Sequence, residues 1–173
     1  MMNTAQLCSE MVKIKTENPP GDTRDCAEFA GAFLESIGIP VSYTTGPAGQ
    51  TNVYSKNQSG ALLLLGHIDV VPAIADGWEY PPYSGEIDET YVHGRGATDM
   101  KGGCAALLSA LAETQDRGVE APVSVALVCD EEGGGKWGTR HLLAEKILHP
   151  SDCLIAEPTP AHAPCIGQKG VLR

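Results

Sequence analysis

Aromatic residues make up only 5% of this 173-residue sequence. The interior therefore cannot be built around stacked rings, and Leu, Val, Ile and Ala must fill it. Basic residues are also scarce: Lys plus Arg number 12 against 22 Asp plus Glu, a net charge of −10. Such a surface repels phosphate backbones and anionic lipids, which argues against nucleic acid and membranes as partners. Long apolar runs are missing too. The longest aliphatic run, residues 61–65, falls far short of the ~20 residues a membrane helix requires. The N-terminal MMNTAQLCSEMVK has no basic stretch followed by an apolar one, so no secretory signal is expected. The six cysteines (8, 26, 104, 129, 153, 165) contain no CxxC pair, and most lie in apolar runs. Buried, reduced thiols in a cytoplasmic protein are the expectation. Cys129, although it borders an acidic cluster, reads as strand packing.

What is present is a hydrophobic fraction of 42%, enough for one domain with a real core. Helices are expected over 4–16, with Leu7, Met11 and Ile14 on one side, and over 23–37, with Cys26, Phe29, Phe33 and Ile37 as the stripe. NPPGD (18–22) reads as a turn, Asp22 or Thr23 as an N-cap, and Gly38 as a helix stop. Strands are expected over 39–44, 52–55, 61–65, 122–128 and 152–156. Further helices are expected over 101–117, with Leu107, Leu108 and Leu111 inward, and over 138–148. Residues 70–100 form a long stretch rich in Pro, Gly and Asp, with a strand-like piece at Tyr91 and Val92; such a loop in a compact domain is usually functional. Buried strands alternating with helices predict an α/β fold with a largely parallel sheet, whose ligands bind beyond the carboxyl ends of the strands.

The residues after each strand then carry the argument. LLLL (62–65) delivers Gly66, His67, Ile68 and Asp69. The long loop delivers Asp99. Strand 122–128 delivers Asp130, Glu131 and Glu132, and strand 152–156 delivers Glu157. Taken singly, His67 is a strand-end histidine, Asp99 an N-cap, DEEGGG a solvated turn and Glu157 a loop acid. Together they would gather several negative charges at one sheet edge, where they repel unless a cation intervenes. His67 and Asp69, two apart, face the same side. A metal-bound imidazole commonly gives its second N–H to a carboxylate, so the pair reads as ligand plus orienter. Of Glu131 and Glu132, one can bind metal while the other handles the proton of the attacking water.

GHIDVVP (66–72), GRGATDMKGG (94–103), DEEGGGKWGT (130–139) and AEPT (156–159) resemble, in order and spacing, the segments of the M20 metallopeptidases, the group of acetylornithine deacetylase, succinyl-diaminopimelate desuccinylase and glutamate carboxypeptidase. The resemblance implies a three-layer αβα, zinc-dependent-exopeptidase-like fold with a mostly parallel mixed sheet. It implies two divalent metal ions, zinc or cobalt. His67 and Glu157 would be ligands of one metal, Glu132 a ligand of the other, and Asp99 the bridge between them. Asp69 would orient His67, and Glu131 would be the general base. A cis peptide at Asp99–Met100 is implied as well. The substrate class would be an N-acyl amino acid or short peptide, in amino-acid biosynthesis.

Chains of that family are longer, with an inserted dimerisation domain that would make the full-length parent a homodimer. Residues 1–173 are thus expected to be the N-terminal portion of the catalytic domain. Val171 and Leu172, lacking a stop signal, read as a chain cut within an element. One well-formed metal site (His67, Asp99, Glu157) and one weak site (Asp99, Glu132 and water) are expected. Two other readings remain open: a related dizinc aminopeptidase, and a metal-binding chain without turnover whose uncovered sheet edge invites self-association. GGGKW (133–137) is no phosphate loop, because Trp follows the lysine and Asp130 stands where the earlier glycine is required. His93, His141, His149 and His162 match no ligand position.

Overall fold

The computed structural model describes residues 2–57, 62–74, 76–119, 122–160, 162–163 and 165–166. Helix α1 (Thr4–Lys13) opens on a reciprocal cap, in which Asn3 Oδ1 accepts from Gln6 N–H while Gln6 Oε1 accepts from Asn3 N–H, both at 2.9 Å. It buries Leu7, Cys8, Ser9, Met11 and Val12. It stops at Lys13 rather than at 16, because Ile14 turns to extended backbone. The released segment runs beside a strand exit instead. There the Thr16 hydroxyl donates to Ile68 O at 2.6 Å and Val70 N–H donates to Thr16 O at 3.0 Å. Helix α2 (Arg24–Ser36) buries Cys26, Ala27, Ala30, Gly31, Phe33 and Leu34, with Phe29 only partly covered. Thr23 occupies its N-cap position but makes no side-chain cap, since its hydroxyl donates to Thr51 O; Asp22 accepts from Arg24 N–H instead.

Strands β1 (Val41–Thr45) and β2 (Thr51–Ser55) form an antiparallel hairpin. β3 (Leu62–His67) lies inside the sheet with a parallel strand on each side; residue 61, expected in it, falls outside the described residues. Helix α3 (Lys101–Asp116) precedes β4 (Val123–Val128), and α4 (Thr139–Ala144) precedes β5 (Asp152–Ile155). α4 ends well before 148. Lys146 takes a positive φ of 56°, which folds the chain back so that Leu148 is buried. Of the strand-like piece near Tyr91, a single antiparallel bridge forms, between Ile87 and Val92.

The sheet order is β1-β2-β4-β3-β5, with only β2 running against the rest. Alternation along β3 separates two apolar layers. Leu64 faces Leu7, Met11, Leu34, Cys104 and Leu108 of α1, α2 and α3, while Leu63 and Leu65 face Leu142 and Leu148 beyond the opposite side. This is the expected three-layer α/β arrangement, and each large side chain so covered contributes about 1.5–3 kcal/mol. Four cysteines are buried as expected, but Cys153 and Cys165 are exposed. For Cys153 the reason is β5 itself: all four of its residues are exposed rather than buried. Residues 171 and 172, read as an interrupted element, lie outside the described residues.

Candidate metal centre

Register explains how the sequence gathers its polar groups. In the parallel pairs, His67 is level with Val128, and Leu65 is level with Ile155. Two further residues along each strand bring Asp69 beside Asp130, and Glu157 beside His67. Asp99 arrives from the other direction, just ahead of α3, where the Asp99–Met100 peptide is cis. Met100 is the N-cap of α3 and no side chain caps it, so the Asp99 carboxylate is free of the capping role.

His67 is the hub. Its Nε2 lies 3.0 Å from Asp99 Oδ1, 3.6 Å from Glu157 Oε1 and 3.8 Å from Glu131 Oε2. Its Nδ1 lies 2.9 Å from the Asp69 carbonyl oxygen, and the Asp69 carboxylate stands at 3.6 Å. The orienting group is thus Asp69, chiefly through its main chain. The imidazole is 2% exposed, whereas the Asp99 and Glu131 side chains are more than half exposed. A buried nitrogen therefore faces solvent-reachable oxygens.

Donor atoms form two groups within 4.8 Å of one another: His67, Asp99 and Glu157, and His67, Glu131 and Glu132. The first brings together the three residues expected at one metal. The second places both glutamates beside His67, without Asp99. Imidazole nitrogen with carboxylate oxygens suits zinc or cobalt. The nearby Cys104 thiol is turned away, donating to His67 O at 3.2 Å. The donor set fits a divalent metal.

The charges respond to this crowding. Burial alone would push the His67 pKa down, but Asp69 and Glu157 overcome that and raise it to about 9. Burial would raise Asp69, yet the contacts with His67, Asn18 and the Glu131 N–H hold it below the usual carboxylate range. Glu132 and Glu157 are both raised, first by partial burial and then by Asp99 and the neighbouring carboxylates. His93 pairs at 2.6 Å with Asp88, not with the site.

Residues that the sequence reading passed over also belong here. Asn18, read only as part of a turn, donates to Asp69 Oδ2 at 2.8 Å and to Asp130 Oδ1 at 3.1 Å. Lys101, two residues after Asp99, is fully buried. A polar side chain directly before two prolines was the available signal for Asn18; nothing in the sequence marked Lys101 as buried.

An α/β sheet with an imidazole and four carboxylates, three of them from strand exits and Asp99 from the loop ahead of α3, gathered at one edge defines a class of protein whose candidate ligand site lies at the carboxyl ends of the strands. The chain belongs to Peptidase family M20/M25/M40, whose profile matches residues 63–167. It is 35% identical over 167 residues to a succinyl-diaminopimelate desuccinylase of Sulfurimonas denitrificans, covering 91% of this chain and 43% of that protein. It is 43% identical over 101 residues to the succinyl-diaminopimelate desuccinylase of Helicobacter hepaticus, covering 54% of this chain and 26% of that one. In fold it matches an M20 family metallo-carboxypeptidase of Sulfolobus solfataricus, with a TM-score of 0.71 at 24% identity, over 90% of this chain and 37% of that chain. The chain spans less than half the length of these relatives. Among the described residues, no helix is long and apolar enough to cross a membrane.

Proposed function

We propose that this chain carries the metal-binding part of a cytoplasmic hydrolase that cleaves the amide bond of an N-acyl amino acid or short peptide. The observation that carries the reading is the convergence of His67 Nε2, Asp99 and Glu157 on one point, with Glu131 at its rim. Zinc or cobalt ions held there would polarise the scissile carbonyl and acidify the attacking water. His67, Asp99 and Glu157 would hold one ion, and Asp99 and Glu132 the other. Asp69 fixes the tautomer of His67 by accepting from Nδ1–H. Glu131, half exposed and tethered by its own N–H to Asp69 at 3.1 Å, takes the proton of the water and passes it to the leaving amine. The desuccinylase relatives favour an acylated amino acid over an unblocked peptide, and a biosynthetic role. This makes the aminopeptidase reading the weaker one.

A second reading applies to the 173-residue chain by itself: metal binding without turnover. It is favoured by β5, the edge strand ahead of Glu157, whose four residues are all exposed among the described residues. One experiment addresses both. The chelator-treated chain is titrated with zinc by calorimetry and then assayed on N-succinyl and N-acetyl amino acids. Zinc uptake lost in His67→Ala is expected. Turnover lowered about 100-fold or more in Glu131→Gln with uptake retained would establish the hydrolase. Uptake without any turnover leaves the second reading, and uptake indifferent to His67→Ala overturns both.

A further inference from the structure

Asp69 and Asp130 are both buried, 0% and 7% exposed, and both face the same neutral side chain. Asn18 Nδ2 donates one N–H to Asp69 Oδ2 at 2.8 Å and the other to Asp130 Oδ1 at 3.1 Å. Each carboxylate then grips the acidic loop between β4 and α4. Asp69 accepts from Glu131 N–H through Oδ1 and from Glu132 N–H through Oδ2, both at 3.1 Å. Asp130 Oδ2 accepts from Trp137 N–H at 3.0 Å, at the far end of the same loop. Asn52 closes the frame, accepting from Cys129 N–H at 3.0 Å and donating to Trp137 O at 2.8 Å. Asp130 itself turns the chain with a φ of 62°. At Gly133 any side chain would meet Asp130 Oδ1 at 2.3 Å and Asn18 Nδ2 at 2.9 Å.

We propose that Asn18, acting with Asp130, is a positioning residue: its amide bridges the two buried carboxylates and thereby fixes where the Glu131 and Glu132 backbones, and so their carboxylates, stand at the metal centre. Two buried carboxylates facing each other would repel and need a donor between them. One amide group supplies two donors and no charge, which neither a hydroxyl nor a carboxylate can do. Asp69, held from this side, presents its carbonyl to His67 from the other. What the glutamates do there rests on the metallohydrolase reading above; where they are held does not.

The test is amide hydrogen exchange on the 15N-labelled chain, freed of metal by chelator. In Asn18→Ala, exchange at Glu131 and Glu132 is expected to quicken about tenfold or more, while β4 amides such as Leu127 keep their protection. Asn18→Asp, of the same shape, is expected to be worse than Asn18→Ala, because it removes the donors and adds a third carboxylate. A packing role predicts the opposite order. Unchanged exchange at 131 and 132, equal loss throughout the sheet, or Asp milder than Ala overturns the proposal. Should the Asn18 variants not fold, Asp130→Asn decides it by setting an amide against the Trp137 N–H or the Asn18 amide. Faster exchange at 131, 132 and 137 supports the bridge, and no change removes it. Zinc titration of the unaltered chain is read separately. If zinc does not bind but the exchange pattern holds, the positioning stands and the metal reading falls.

Discussion

The Lys101 ammonium donates to the main-chain oxygens of Met11 at 2.9 Å and Ile14 at 2.7 Å, and the residue is wholly buried. It therefore satisfies the C-terminal carbonyls of α1 from the first turn of α3, joining the helix that follows Asp99 to the opening helix of the chain. Burial pushes its pKa below the ordinary lysine value.

Lys101→Met keeps most of the apolar stem and deletes both hydrogen bonds. Met11 O keeps the Ile14 N–H at 3.2 Å, whereas Ile14 O loses its lysine donor, and the loss costs about 1–3 kcal/mol of stability. Lys101→Ala also loses the stem and costs about 2–3 kcal/mol more. Urea unfolding of the two variants measures both steps. Equal stability of Lys101→Met and the unaltered chain would mean that water satisfies α1 without the lysine.

Gly103 on α3 is pressed against Ala156, the residue that follows β5. A Cβ there would lie 2.1 Å from Ala156 O and 3.0 Å from Ala156 Cβ. Because the obstructing atom is main chain, it cannot swing aside. Gly103→Ala is expected to cost about 1–3 kcal/mol and to displace the segment that carries Glu157. Zinc affinity should fall with it, whereas Gly118→Ala, in open space at the far end of α3, should leave affinity alone. An affinity unaffected by Gly103→Ala would show that Glu157 is not held through this contact.

Glu17 gives the chain an acid-sensitive clasp. It accepts from the Tyr83 hydroxyl at 2.6 Å and from Ala73 N–H at 3.1 Å, and it pairs with Lys15 at 3.1 Å. The Tyr83 bond is the main reason its pKa lies below the usual glutamate value, with Ala73 and Lys15 adding to it against the opposing effect of burial. A lowered native pKa means that the unfolded chain binds the proton first. The stabilisation is therefore full above about pH 4.3 and is lost as pH falls through the lower native value. Glu17→Gln should flatten that acid limb in urea unfolding at a series of pH values. An identical acid limb in both proteins would remove Glu17 from the linkage.

Much of this was legible in the residues. LLLL is apolar without a break and PVSVALV is interrupted only by Ser124, as suits strands covered on both faces, and both lie in the sheet where that reading put them. The end of α1 was not legible. Ile14 continues the helical stripe, yet Thr16 and Glu17 serve better as partners of Ile68 and Val70, a contact across more than fifty residues. The length of α4 failed for a similar reason, because Leu148 is buried only after the chain reverses at Lys146. The polar groups at the strand exits stood out since each follows an apolar run. Asn18 did not, because its partners come from two other strands.

The sequence by itself determined the alternation of strand and helix, the carboxyl-edge placement of His67, Asp69, Asp99, Glu131, Glu132 and Glu157, and the family. Periodicity and order along the chain carry that information locally. Tertiary structure alone decided that the Asp69 main-chain carbonyl is the nearest partner of His67 Nδ1, that one asparagine amide separates two buried carboxylates, that a lysine closes α1, and that β5 lies exposed. Each of these depends on register between strands distant in sequence, and hydrogen bonds with a reach of about 3 Å are set only once that register exists.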